Sequence, residues 1–114
     1  MTIKRGEIHL ASLDPTIGRE ISKARPVVII SNDINNRFSG TISVLPITSM
    51  NLVKIYPFEV KLPKGTGNLP KDSKVKADQI RTLDKRRIIK AIGMLDDESI
   101  ARIESALKIH LGID

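Results

Sequence analysis

The chain has 114 residues, 40% apolar and 28% charged, a balance that suits a soluble globular protein and excludes disordered and collagen-like classes. Folding a chain of this length buries roughly two-thirds of its extended surface, which supports one compact core, so residues 1–114 are read as a single domain. Nineteen Lys and Arg against thirteen Asp and Glu leave a net charge of +6, which draws anions such as nucleic acid but equally suits a solvated basic surface. With no cysteine, disulfides, thiolate nucleophiles and Cys-ligated zinc are excluded. The longest apolar run, Pro26 to Ile30, is far too short to span a bilayer, and the basic N-terminal residues are followed by no apolar signal segment. A cytoplasmic location without membrane contact is therefore expected.

In chain order, Ile8, Leu10 and Ser12 alternate with Glu7, His9 and Ala11, as in a half-buried strand, and Asp14 to Gly18 ends it with turn residues. A polar loop runs to Lys23. Val27 to Ile30 is a continuous β-branched strand covered on both faces. Ser31-Asn32-Asp33 is a capping cluster before a short helix through Asn35–Phe38. Thr41 to Ile47 forms a third strand, where Pro46 implies an edge or a bulge. A fourth strand has Tyr56, Phe58, Val60 and Leu62 on one face and Pro57, Glu59 and Lys61 on the other; Phe58 is assigned to the core. Pro63 to Asn68 is a loop, and Val75, Ala77 and Gln79 alternate with Lys74, Lys76 and Asp78 in a fifth strand.

Asp84 caps one helical turn. Ile88 to Met94 is a sixth strand, in which Gly93 marks a bulge or a close backbone approach. The last segment is a helix with Asp96 as N-cap, Asp97 and Glu98 in its first turn, and Gly112 beyond its end. Its apolar stripe is Ile100, Ile103, Leu107 and Leu111, with Ile109 on the opposite side. Five or six short strands and one packed helix predict a small, strongly bent antiparallel sheet or barrel.

His9 and His110 are read as packing or solvated residues, and no His, Asp or Glu cluster has metal-ligand spacing. Phosphate-loop and nucleophile-elbow motifs are absent. What remains is a polar set at strand ends: Arg19 and Glu20 in the first long loop, Lys23 and Arg25 at its exit, Thr48-Ser49 after the third strand, and Asp78 to Thr82 after the fifth. Singly, each is best read as a solvated strand end. Together they offer more. Arg25 precedes Pro26, which favours extended backbone, and opens the most buried strand, so its guanidinium is held in place to bind phosphate with two hydrogen bonds. Thr48 and Ser49 supply hydroxyl donors, and Gln79 supplies a donor and an acceptor that can read a base edge.

The ordered set Arg5-Gly6-Glu7-Ile8, Leu13-Asp14-Pro15-Thr16, Arg25 to Asp33, Asn36-Arg37-Phe38, Pro46 to Ser49, Tyr56 to Val60, Asp78 to Lys85 and Ile92-Gly93 resembles the MazF/PemK family of toxin endoribonucleases over nearly the whole chain. The resemblance implies a mainly β fold with helices: an SH3-like barrel of the MazF/PemK/CcdB toxin type with a C-terminal helix, assembled as a homodimer. It implies metal-independent, sequence-specific cleavage of single-stranded RNA with no cofactor, and an antitoxin partner whose acidic flexible tail covers the basic groove. By the same resemblance Arg25 and Thr48 are the catalytic residues and Glu20 a catalytic or loop-orienting one. Arg19, Lys23, Ser49 and Gln79 are expected RNA contacts. Arg19 and Ile21 depart from the Ser and Gln that many relatives carry there. Two alternatives are a non-catalytic toxin that binds a topoisomerase, as gyrase poisons of this fold do, and a plain RNA-binding barrel.

Overall fold

A computed structural model describes residues 2–114. Seven antiparallel strands and two helices follow in the order β1 (Glu7–Ser12), β2 (Ala24–Ile29), α1 (Asp33–Phe38), β3 (Thr41–Thr48), β4 (Glu59–Leu62), β5 (Ser73–Lys76), β6 (Arg81–Asp84), β7 (Ile88–Met94) and α2 (Asp97–Leu111). The strands lie side by side as β4-β5-β3-β2-β1-β7, with β6 also on β3. This is the mainly β, helix-closed architecture expected from the sequence. No helix of the described residues is long and apolar enough to cross a membrane.

The two-residue period of β2 and β3 divides the core. Val28, Leu45 and Ile47 point to one side, where they meet Val60, Leu62, Val75 and the Ile103 and Ala106 face of α2. Val27, Ile29, Ile42 and Val44 point to the other, against Ala11, Leu13, Leu83 and Ile88. Both faces of β2 are thus covered, as its unbroken β-branched run requires.

β3 serves two neighbours along its second edge. Thr41 to Val44 pair with β6, and Ile47 and Thr48 pair with β5. Pro46, expected at an edge or a bulge, instead sits inside a central strand opposite Val27. It falls in the gap between the β6 and β5 ladders, where no ladder needs the N–H that proline lacks.

Four further readings are corrected. The fifth strand ends at Lys76, and Ala77–Gln79 is a tight helical turn that redirects the chain into β6. β6 was not anticipated, because Arg81-Thr82-Leu83-Asp84 carries one apolar side chain and no readable alternation. The fourth strand starts at Glu59, leaving Tyr56 to Phe58 outside the sheet. Leu111 is exposed, and α2 buries Ser99, Ile103 and Ala106 instead.

Elsewhere the local chemistry and the fold agree. Asn32 and Asp96 cap α1 and α2, and Asp84 caps the Lys85–Arg87 turn. Gly93 provides the close approach: a side chain there would run into the Gly67 carbonyl.

Candidate active site

The register of β2 and β3 sets Val27 opposite Pro46. Arg25 lies two residues before Val27 on β2 and Thr48 two residues after Pro46 on β3, so both stand at the same end of the adjoining strands. Both side chains line one open cleft of about 550 Å³, at the end of the sheet where the loop after β1, the loop after β3 and the turn after β5 converge. Four cations, Arg19, Arg25, Lys74 and Lys76, face Glu20 and Asp78 across it. The local field is therefore positive, as binding of an anionic chain requires.

Thr48 sits on the last β3 position, and its Oγ1 accepts a hydrogen bond from the Met50 amide at 3.1 Å. That bond fixes the hydroxyl and leaves its single O–H free to donate into the cleft. Arg25 is half-buried and has no carboxylate partner among the described residues, so its guanidinium is uncommitted. On its other side Thr48 is paired with Lys74 of β5. A lysine next to such a hydroxyl resembles a phosphate ligand, but its ammonium is fully used. It donates to Glu59 Oε1 at 3.0 Å, to the Asn51 carbonyl at 2.9 Å and to the Lys54 carbonyl at 3.3 Å. Three donors meet three acceptors, so Lys74 holds the Asn51–Lys54 loop against the sheet rather than contacting a ligand.

Glu59 anchors this cluster from within. Its side chain is fully buried and its second oxygen takes Lys76 Nζ at 2.7 Å. Burial pushes the carboxyl upward, but hydrogen bonds from Lys76, the Tyr56 amide and Lys74 outweigh it and hold it below the usual carboxylate range. Lys76 Nζ also lies 3.8 Å from Asp78 Oδ1, a buried oxygen without a hydrogen-bond partner among the described residues.

The opposite wall is the loop from Leu13 to Lys23, tied at its neck by Leu13 N–H to the Lys23 carbonyl. Arg81 and Arg87 donate to the carbonyls of Leu13 and Asp14. Gln79 reaches across the cleft: its Oε1 accepts from the Ile21 amide at 2.7 Å and its Nε2 donates to the Arg19 carbonyl at 3.3 Å. Glu20 Oε1 accepts from the Ile17 amide at 3.0 Å, folding the tip of the loop.

The structure thus brings Arg19, Glu20, Arg25, Thr48 and Gln79 to one cleft. Ser49 lies in an adjoining recess, which Arg25 and Thr48 also line, and Lys23 is exposed and lines neither. His9 is buried in β1 and His110 is exposed on α2, and neither reaches the cleft.

This arrangement has known counterparts. Residues 4–111 match the family described as PemK-like, MazF-like toxin of type II toxin-antitoxin system. The chain belongs to that toxin family. It is 40% identical to endoribonuclease MazF9 of Mycobacterium tuberculosis, over 97% of this chain and 98% of that one. The crystal structure of MazF from Deinococcus radiodurans superposes with a TM-score of 0.85 at 29% identity, covering 99% of each chain. A MazE–MazF structure from the same organism gives 0.78 at 26% identity, covering 100% of this chain and 99% of that one.

Sequence reasoning missed part of this PemK/MazF-type cleft. Phe58, assigned to the core, is half-buried and lines the cleft, stacked on Tyr56 with ring centroids 5.3 Å apart and planes 8° from parallel. Lys54 Nζ lies 4.7 Å from the Tyr56 ring centre. Glu59, placed on the strand face opposite Phe58, is the buried anion of the lysine cluster. The alternation of residues 56–62 hid both: a period of two assigns faces only where a strand exists, and none exists before Glu59.

Proposed function

We propose that this toxin-family member is the endoribonuclease of a type II toxin–antitoxin pair, cutting single-stranded RNA in the Arg25–Thr48 cleft by attack of the RNA's own 2′-hydroxyl. The O2′–P bond forms as the P–O5′ bond breaks and the departing O5′ takes a proton from water, giving a 2′,3′-cyclic phosphate and a 5′-hydroxyl. Such a step needs in-line geometry and stabilisation of the charge that develops on the phosphorane oxygens, and no nucleophile from the protein. Arg25 offers the neutralising charge and two parallel donors. Thr48 donates its free O–H to a non-bridging oxygen. Glu20 has a second carboxylate oxygen with which to take the 2′-proton, while its first holds the loop through Ile17. Gln79, with both ends of its amide engaged in this state, orients the Arg19–Ile21 wall. Arg19, Lys23 and Ser49 add donors for the RNA strand around the reacting pair.

The observation that carries this reading is the Thr48 hydroxyl, oriented by Met50 and lining one cleft with an arginine that no carboxylate has claimed. The 40% identity to an endoribonuclease supports the reaction class. The Deinococcus MazE–MazF complex supports an antitoxin partner, for which an acidic flexible segment fits a cation-lined cleft. A homodimer in the cytoplasm completes the proposal. The test is end-labelled single-stranded RNA incubated with the purified protein in EDTA. Discrete fragments with cyclic phosphate ends are expected. Intact RNA, or fragments bearing 3′-hydroxyl ends, would overturn it.

A further inference from the structure

We infer that the small recess adjoining the cleft along Arg25 and Thr48 is a subsite for one nucleobase next to the scissile bond, and that it sets base preference at that position of the cut. This inference rests on the nuclease reading above. The recess holds about 180 Å³, a third of the main cleft, and the two share Arg25, Thr48 and Met50 as their common rim. A phosphodiester bound on that rim has both spaces within reach of its two flanking nucleotides. One enters the large cleft beside Tyr56 and Phe58, and the other enters the recess.

The recess has the make-up of a ligand pocket: apolar walls with a few converging polar groups. Pro26, Leu69 and Pro70 form flat apolar walls. Ser73, 5% exposed, donates its hydroxyl proton to the Lys71 carbonyl at 2.9 Å, so its oxygen is left as an acceptor for a base N–H. Ser49 is exposed and can both donate and accept, and the Lys71 ammonium has no carboxylate partner among the described residues. The small size of the recess beside the main cleft suits a single base. The large cleft has space for more, and its selectivity comes from different residues.

The experiment is cleavage of a randomised single-stranded RNA pool, with both ends of the cut mapped, by wild type, Ser49→Ala, Pro70→Trp and Tyr56→Ala. Pro70→Trp occludes the recess from an exposed position; Ser49→Ala leaves the backbone untouched and serves if the bulkier variant does not fold. Both recess variants should change base preference at one position adjoining the cut, and Tyr56→Ala on the opposite side. An abasic residue at the recess-side position should lower wild-type kcat/KM about tenfold or more. Recess variants that keep wild-type preference at both adjoining positions, or shift the same position as Tyr56→Ala, overturn the subsite while the nuclease reading stands. Failure of wild type to cut any RNA would sink both.

Discussion

Replacing Lys74 by methionine tests whether the lysine–glutamate cluster builds the cleft wall. The substitution keeps the stem that packs in β5 and removes the ammonium. Glu59 Oε1 and the carbonyls of Asn51 and Lys54 then lose their donor in one step. Removing one partner of a buried ion pair costs about 3–5 kcal/mol. Lys76 still neutralises Glu59, which places the cost near the lower end, about 3 kcal/mol. With an unfolding entropy of about 0.24 kcal/mol/K for a chain of this length, Tm should fall by roughly 12 °C. The local effect is measurable apart from the global one. Tyr56 is the only tyrosine and the chain has no tryptophan, so intrinsic emission reports this wall alone. Acrylamide quenching of Tyr56 should rise in Lys74→Met at temperatures where the protein is still folded, and KM for RNA should rise with it. Lys61→Met, on the exposed neighbour across β4 and β5, should stay within about 0.5 kcal/mol of wild type. A Lys74→Met protein as stable as wild type, with Tyr56 no more accessible, would refute the clamp.

Other consequences follow from the same contacts. Gln79→Ala removes both bonds that span to the Arg19–Ile21 loop, each worth about 1 kcal/mol net, so KM for RNA should rise about thirtyfold with the fold retained by circular dichroism. Glu59 has a folded-state pKa below its ordinary 4.5, so its stabilisation is complete above that value and is lost as pH falls through the lowered one. Titrating from neutral pH downward, Tyr56 quenching should step up below pH 4.5 in wild type and show no such step in Glu59→Gln. If about five phosphates contact the protein, the log–log slope of binding against salt should be near −3.5, read by titrating an uncleavable oligonucleotide.

Most of the fold was legible because its signals are local. β1, β2 and β7 carry continuous or alternating apolar residues, and α2 carries its cap, its stripe and its terminal glycine within one segment. β6 was not legible, since its pairing with β3 is fixed by a partner some forty residues away, Thr41 with Asp84, rather than by its own pattern. The same distinction governs the site. Arg25 and Thr48 stand at ends of readable strands, and the pairing of those strands puts both at one end of the sheet. The roles found for Gln79 and Lys74 depend on hydrogen bonds across 58 and 23 residues, for which a sequence carries no local mark. The burial of Glu59 was not legible because a buried carboxylate is tolerated only with its lysines in place, and those lie on another strand.

In the proposed reaction Arg25 and Thr48 act together on one phosphodiester. The most direct measurement is the single-turnover cleavage rate of a short single-stranded RNA by folded Arg25→Ala and Thr48→Ala proteins in chelator. Loss of one transition-state donor predicts a fall of about 10²–10³ in each, with RNA still bound. Rates within tenfold of wild type in both variants would contradict it.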